Sequence, residues 1–120
     1  MGGRCGWDTY EYTITAGDIT ALPSTIEKIG KYHIGGDMTW DAAYYYCEAL
    51  SKIEGSGITG MAKKDSVQPV GVDEYGWTNT LVDGSTTPSS NNCYASFVDL
   101  SSGAVFNDGG RRTDYCALCE

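Results

Sequence analysis

Tyr10, Tyr12 and Ile14 alternate with polar neighbours along 7–15, the pattern of a half-buried strand. Ser24-Thr25-Ile26-Glu27 has capping-box spacing. With Pro23 before it and Gly30 after it, this predicts one short helical turn. Residues 31–34 read as a short strand that Gly35-Gly36 stops. Then the period changes. Between Thr39 and about Ile53, Trp40, Ala43, Tyr44, Cys47, Leu50 and Ile53 fall on one stripe at helical spacing. Thr39 is placed to cap this helix, Asp41 meets the dipole in its first turn, and Gly55 and Gly57 end it. Of Tyr44, Tyr45 and Tyr46, the first is expected in the core and one of the others at an exposed contact.

After Gly57 the chain is rich in turn residues. A brief strand is predicted at 58–61, a loop at 62–75, and a strand at 77–82 closed by the Asp83-Gly84 turn. Residues 85–92 are a polar loop. A hairpin follows, with strands at 94–100 and 104–106 joined at Ser102-Gly103, and a last strand at 115–119. There is no internal repeat and no linker, so residues 1–120 are read as a single α+β domain.

The composition narrows the classes. Hydrophobic residues are 41% and charged residues 20%, which excludes a disordered tail, a collagen and a coiled coil. No apolar run approaches the roughly 20 residues of a membrane-spanning helix, so no membrane insertion is expected. Lys plus Arg number 8 against 16 Asp plus Glu, a net charge of −8. Nucleic acid is therefore not an expected partner, since phosphate contacts need a basic surface. Five cysteines in so short a chain indicate an oxidising compartment. The chain opens Met1-Gly2-Gly3-Arg4 without an apolar signal segment, which leaves an excised or mature domain of an exported protein or a cytosolic protein, and the cysteine usage favours the former.

Candidate chemistry is sparse. His33 is the only histidine, and it sits between Tyr32 and Ile34 in a strand-like segment. There is no Gly-x-Ser-x-Gly and no phosphate-binding loop. No catalytic residues are assigned and no enzyme is expected. Asp73-Glu74 lies in a polar loop and reads as solvated. A redox Cys-x-x-Cys opens a helix that lowers its thiol pKa. With one residue after Cys119 in this sequence, no such helix is expected at Cys116 and Cys119. A zinc set of Cys5, Cys116, Cys119 and His33 is chemically allowed, but no second close cysteine pair supports it. Two separate disulfides are preferred.

Residues 38–120 resemble a C-type lectin-like domain. Met38-Thr39-Trp40-Asp41-Ala42-Ala43-Tyr44-Tyr45-Tyr46-Cys47 resembles that family's first helix with its half-cystine. Ile58-Thr59-Gly60-Met61 stands where the family has Trp-Ile-Gly-Leu. Gly76-Trp77 with Val82-Asp83-Gly84-Ser85 resembles its tryptophan and Asp-Gly-Ser turn. Asn92-Cys93-Tyr94, Phe106-Asn107-Asp108 and Leu118-Cys119-Glu120 are similar to its Asn-Cys-Val, Trp-Asn-Asp and Ile-Cys-Glu. Two features depart from it. The second helix is missing, since only Glu54-Gly55-Ser56-Gly57 separates the first helix from the strand. The half-cystine expected soon after Trp-Asn-Asp is replaced by Gly109, Gly110, Arg111 and Arg112. These departures suit a divergent bacterial or viral member.

The resemblance implies a non-enzymatic ligand-binding or adhesion module of an exported surface protein. Its partner would be a protein or a glycan on another surface. The alternative is a structural subunit of a pilus or other surface assembly. The ligand face would be the loops at 62–92 and the turn at 107–112, with Tyr75, Asn79, Thr87, Ser89, Asn91, Asn92, Asn107 and Asp108 as its candidates. Calcium wants six to eight oxygens, several from carboxylates. Here Thr87-Pro88-Ser89 puts hydroxyls where the family has acidic and amide ligands, and only Asn107 and Asp108 survive. No cofactor and no metal are therefore expected, and Asn107 and Asp108 are read as turn hydrogen-bonders. The family pairs Cys47 with Cys119, closing a loop of roughly 70 residues worth about 4 kcal/mol in the chain-entropy model. Cys93 would then pair with Cys116, unless Cys5 takes Cys116 and leaves Cys93 free.

Overall fold

The computed structural model describes residues 22–120. The strand expected around 10–14, and Cys5, lie outside the described residues. Five strands and one helix make the scaffold: β1 (His33–Met38), α1 (Trp40–Ser51), β2 (Tyr75–Leu81), β3 (Tyr94–Asp99), β4 (Val105–Gly110) and β5 (Tyr115–Cys119). One 3-10 turn lies at Lys64–Ser66. The architecture is α+β, with a single mixed sheet ordered β1-β5-β2-β3-β4. β5 runs antiparallel to β1 and parallel to β2, and β2, β3 and β4 form an antiparallel meander.

Helix α1 starts where its sequence says it should. Thr39 has extended backbone angles, and its Oγ1 accepts from Ala42 N at 3.3 Å, satisfying one of the orphan N–H groups of the first turn. Lys52 is its C-cap. Trp40, Ala43, Cys47 and Leu50 are buried as expected. The tyrosines differ from expectation. Tyr46 is the buried one and Tyr44 is half-buried. Ile53, beyond the cap, is 41% exposed.

Two other expectations fail for local reasons. Residues 24–29 form no helix. The Glu27 carbonyl is bound by His33 Nδ1 at 2.9 Å, and Ile29 bridges Tyr32 through a turn with Gly30 at φ +62°. Nor do Gly35 and Gly36 stop a strand, since β1 runs through both. Ile34 pairs with Leu118 and Asp37 with Cys116, so the two glycines form a bulge opposite Ala117. A Cβ at Gly35 would stand 2.7 Å from Tyr46 Cε2. The missing side chain is the space Tyr46 fills.

The sheet is covered on both faces. On one, Trp40, Ala43, Tyr46, Cys47 and Leu50 of α1 pack on Trp77, Leu81, Ala95, Phe97 and Ala117. On the other, Tyr32, Val98, Leu100 and Leu118 pack with Ala62, Val67, Val70 and Val72 from the long connection before β2. That connection is tied down along its length. Ala62 N donates to Leu118 O, Gln68 N to the Tyr32 hydroxyl and Val70 N to Leu100 O. It therefore does the covering work of a second helix without being one.

Cys47 and Cys119 form a disulfide, with Cα atoms 5.4 Å apart. Cys93 and Cys116 are free, so the expected second bridge is not made. The register explains why. Gly76 of β2 pairs with Val98 of β3 and Cys116 of β5 on its two sides. Cys116 thus lies about 10 Å across the sheet from Val98, and Cys93 lies a further five residues, about 16 Å, along the chain from it. A bridge needs Cα atoms within about 7 Å.

Candidate functional site

The residues expected on one ligand face occupy three separate places. The first is an aromatic ledge. Trp77 pairs with Phe97, and Phe97 with Phe106, in one row across β2, β3 and β4. Tyr75 and Tyr115 join that row. The Phe97 ring lies 5.3 Å from Tyr75, 5.3 Å from Phe106 and 4.6 Å from Tyr115. Helix α1 packs on the β5–β2 side of this surface, and the row continues past it. Tyr75 is 46% and Phe106 41% exposed, with rings 6.3 Å apart. Burial raises the Tyr115 phenol pKa first, and the Asp108 charge adds to it.

Asn107 and Asp108 follow Phe106 inside β4, not in a turn after it. Phe97 pairs with Phe106 but Ala95 pairs with Gly109, so Asn107 and Asp108 share the place opposite Ser96 as a bulge. Asn107 Oδ1 accepts from Ser96 Oγ at 2.7 Å. Gly109 makes the row possible, since a Cβ there would meet Phe97 at 2.7 Å and Trp77 at 2.8 Å.

The second place is the 85–92 loop. Thr87 and Ser89 are exposed and share a hydrogen bond of 2.8 Å. Asn92 Oδ1 accepts from Tyr94 N, which holds the entry to β3. Asn91 is exposed beside them. The underside of this loop is built on Arg111, a residue sequence reasoning noted only in the stretch that replaces an expected half-cystine. Arg111 is fully buried. Its Nε and Nη2 donate to Asp41 Oδ1 at 3.0 and 2.8 Å. Nη2 also reaches Pro88 O at 3.1 Å, while Nη1 donates to Ser90 O at 2.6 Å and Asn92 O at 2.8 Å. The guanidinium lies 5.1 Å from the Trp40 ring centroid. The only signal in sequence was a charged residue, Asp41, in a helix turn otherwise facing the core.

The third place belongs to Asn79. It lies in a widened part of β2, where Thr78, Asn79 and Thr80 span the stretch opposite Ser96. Its Oδ1 accepts from Lys64 N and Thr80 Oγ1, and its own N–H donates to Ala62 O. Asn79 is thus an anchor for the long connection. It lines an open groove of about 410 Å³ with Tyr44, Glu48, Lys63 and Thr86, away from the ledge.

The zinc set considered from sequence is not assembled. Cys119 is in the disulfide, and His33 uses Nδ1 on Glu27 O and Nε2 on the Tyr46 hydroxyl, both at 2.9 Å. Cys116 instead faces Glu74, with Sγ 2.6 Å from Oε1. Its pKa is pushed well above the thiol range, by burial first and then by Glu74 and Asp37. No described helix is long and apolar enough to cross a membrane. A scan of protein-family models finds no match to the chain, and searches of curated proteins and of solved structures find none either.

Proposed function

We propose that this chain is a divergent C-type lectin-like domain that acts as a calcium-independent ligand-binding or adhesion module of an exported surface protein. The observation that carries the binding role is the ledge of Tyr75 and Phe106, two half-exposed rings fixed from behind by Phe97 and Tyr115. Rigid aromatic rings offer large contact area at little entropic cost. A sugar ring or an apolar side chain of a protein partner can lie against them, with Asp108 at the border for a polar contact. The lectin-like reading is supported by the Cys47–Cys119 tie between helix and last strand and by the pairing of β1 with β5. The extracytoplasmic location is supported by the same disulfide.

Calcium independence is supported by Arg111. The carbonyls of Pro88, Ser90 and Asn92 are hard oxygens of the loop, and all three accept from the guanidinium. A fixed cation already stands there.

The test is an array of glycans and surface proteins probed with wild type, Tyr75→Ala and Phe106→Ala, each with and without chelator. The expected result is a signal insensitive to chelator that falls at least about tenfold, or 1.4 kcal/mol, in either variant while the melting temperature is kept. Binding unchanged in both variants, or abolished by chelator, refutes the reading. If both variants instead lose a concentration-dependent self-association of the wild type, the ledge is an assembly contact and the pilus-type subunit is the better description.

A further inference from the structure

On the sheet face opposite α1, three potential metal ligands from three separate segments converge. Asp37 comes from β1, Glu74 from the residue before β2 and Cys116 from β5, and their ligand atoms all lie within 4.8 Å of one another. The bulge at Gly35 and Gly36 is what brings Asp37, rather than Gly36, opposite Cys116. Cys116 forms the floor at 1% exposure, while Asp37 and Glu74 are exposed at the mouth. Among the described residues the thiol has no hydrogen-bond partner outside this cluster, and neither carboxylate takes part in an ion pair. A buried side chain is thus aimed at two carboxylates with no cation among them.

We propose that Asp37, Glu74 and Cys116 bind a divalent cation of the zinc class, with solvent in the remaining position. One sulfur and two carboxylate oxygens suit borderline-soft zinc and are too few and too soft for calcium. Tetrahedral zinc with ligands at 2.0–2.3 Å sets ligand atoms about 3.5 Å apart. The Sγ–Oε1 contact of 2.6 Å opens by about 1 Å and the widest separation closes by about as much. Exposed carboxylates can make that adjustment by side-chain rotation. On binding, the S–H bond breaks, an S–metal bond forms and the proton passes to water.

Cobalt titration of the full chain tests this, because a cobalt–thiolate bond gives a near-ultraviolet charge-transfer band that carboxylates do not. The band is expected in wild type, to be displaced by zinc, and to vanish in Cys116→Ser. Asp37→Asn and Glu74→Gln change exposed side chains and leave the core alone. Each is expected to weaken cobalt binding at least about tenfold, since even outer-shell changes cost that much. No band with excess cobalt overturns the proposal. So does a band that survives Cys116→Ser and is lost in Cys93→Ser or Cys5→Ser, or an affinity unchanged in both carboxylate variants.

Discussion

Replacing Arg111 by methionine removes a buried cation whose donors serve two different elements. Five hydrogen bonds disappear, two to Asp41 and three to the carbonyls of Pro88, Ser90 and Asn92. Asp41, whose side chain is 2% exposed, loses the buried guanidinium it is paired with. Removing one partner of a buried pair costs about 3–5 kcal/mol. The carbonyls add less, because a surface loop can move outward and let water reach them. At an unfolding entropy of about 2.1 cal/mol/K per residue, the 99 described residues convert this into a melting temperature lower by about 15–25 °C. Arg111→Lys keeps the charge but loses the planar fork, so it should fall between wild type and methionine. Asp41→Leu combined with Arg111→Met should recover much of the loss, because an apolar pair needs no solvation, while the 85–92 loop stays untethered. Urea denaturation of wild type, Arg111→Met, Asp41→Leu and the double variant gives the double-mutant cycle, and limited proteolysis reports the loop. If Arg111→Met costs under about 1 kcal/mol, or the two single costs simply add, Arg111 is not the clamp described.

Two further outcomes can be checked directly. Non-reducing peptide mapping should return a Cys47–Cys119 linked peptide, with Cys93 alkylated in the native protein and Cys116 only after denaturation; removing the bridge should cost about 4 kcal/mol for its 72-residue separation, and a Cys93–Cys116 peptide would contradict the register. Gly109→Ala should destabilise by about 1–3 kcal/mol through overpacking against Phe97 and Trp77, which thermal unfolding measures, and a neutral result would mean the aromatic row is not packed as described.

What was legible in the sequence was whatever depends on local periodicity. The stripe of α1 with its Thr39 cap, the β3–β4 hairpin and the last strand all declare themselves in a few consecutive residues. The helix-to-strand disulfide was legible through the lectin-like resemblance. What was illegible depends on tertiary neighbours. Gly35 and Gly36 look like strand breakers, yet Gly35 is a socket for Tyr46, a residue eleven positions later. Tyr46 and Tyr44 cannot be ranked for burial by spacing alone, because each flanks the same stripe. Asn79 reads as a polar contact residue until the backbone of Lys64 is placed beside it. The ledge was found only through Tyr75 and Asp108, because Phe97 and Tyr115 looked like ordinary strand core. Arg111 was missed because burial of a guanidinium requires acceptors for its N–H groups, and all four acceptor atoms come from residues 19 to 70 positions away.

The Cys47–Cys119 bond has a mechanical consequence. β1 and β5 are paired antiparallel neighbours, so His33 lies beside Cys119 and the described chain enters and leaves along one edge of the sheet. A pull applied at residues 22 and 120 passes from Glu120 through the disulfide directly into α1. The 71 residues between the two cysteines are bypassed by the tension. Extension is limited to the stretch before Cys47, roughly 25 residues or about 85 Å when fully drawn out. The aromatic ledge, Arg111 with its loop carbonyls and Glu74 lie inside the bypassed segment, while Asp41 lies in the extensible stretch. A module tethered under shear could peel open its first strand and lengthen while its binding surface stayed folded, acting as a short covalently limited shock absorber.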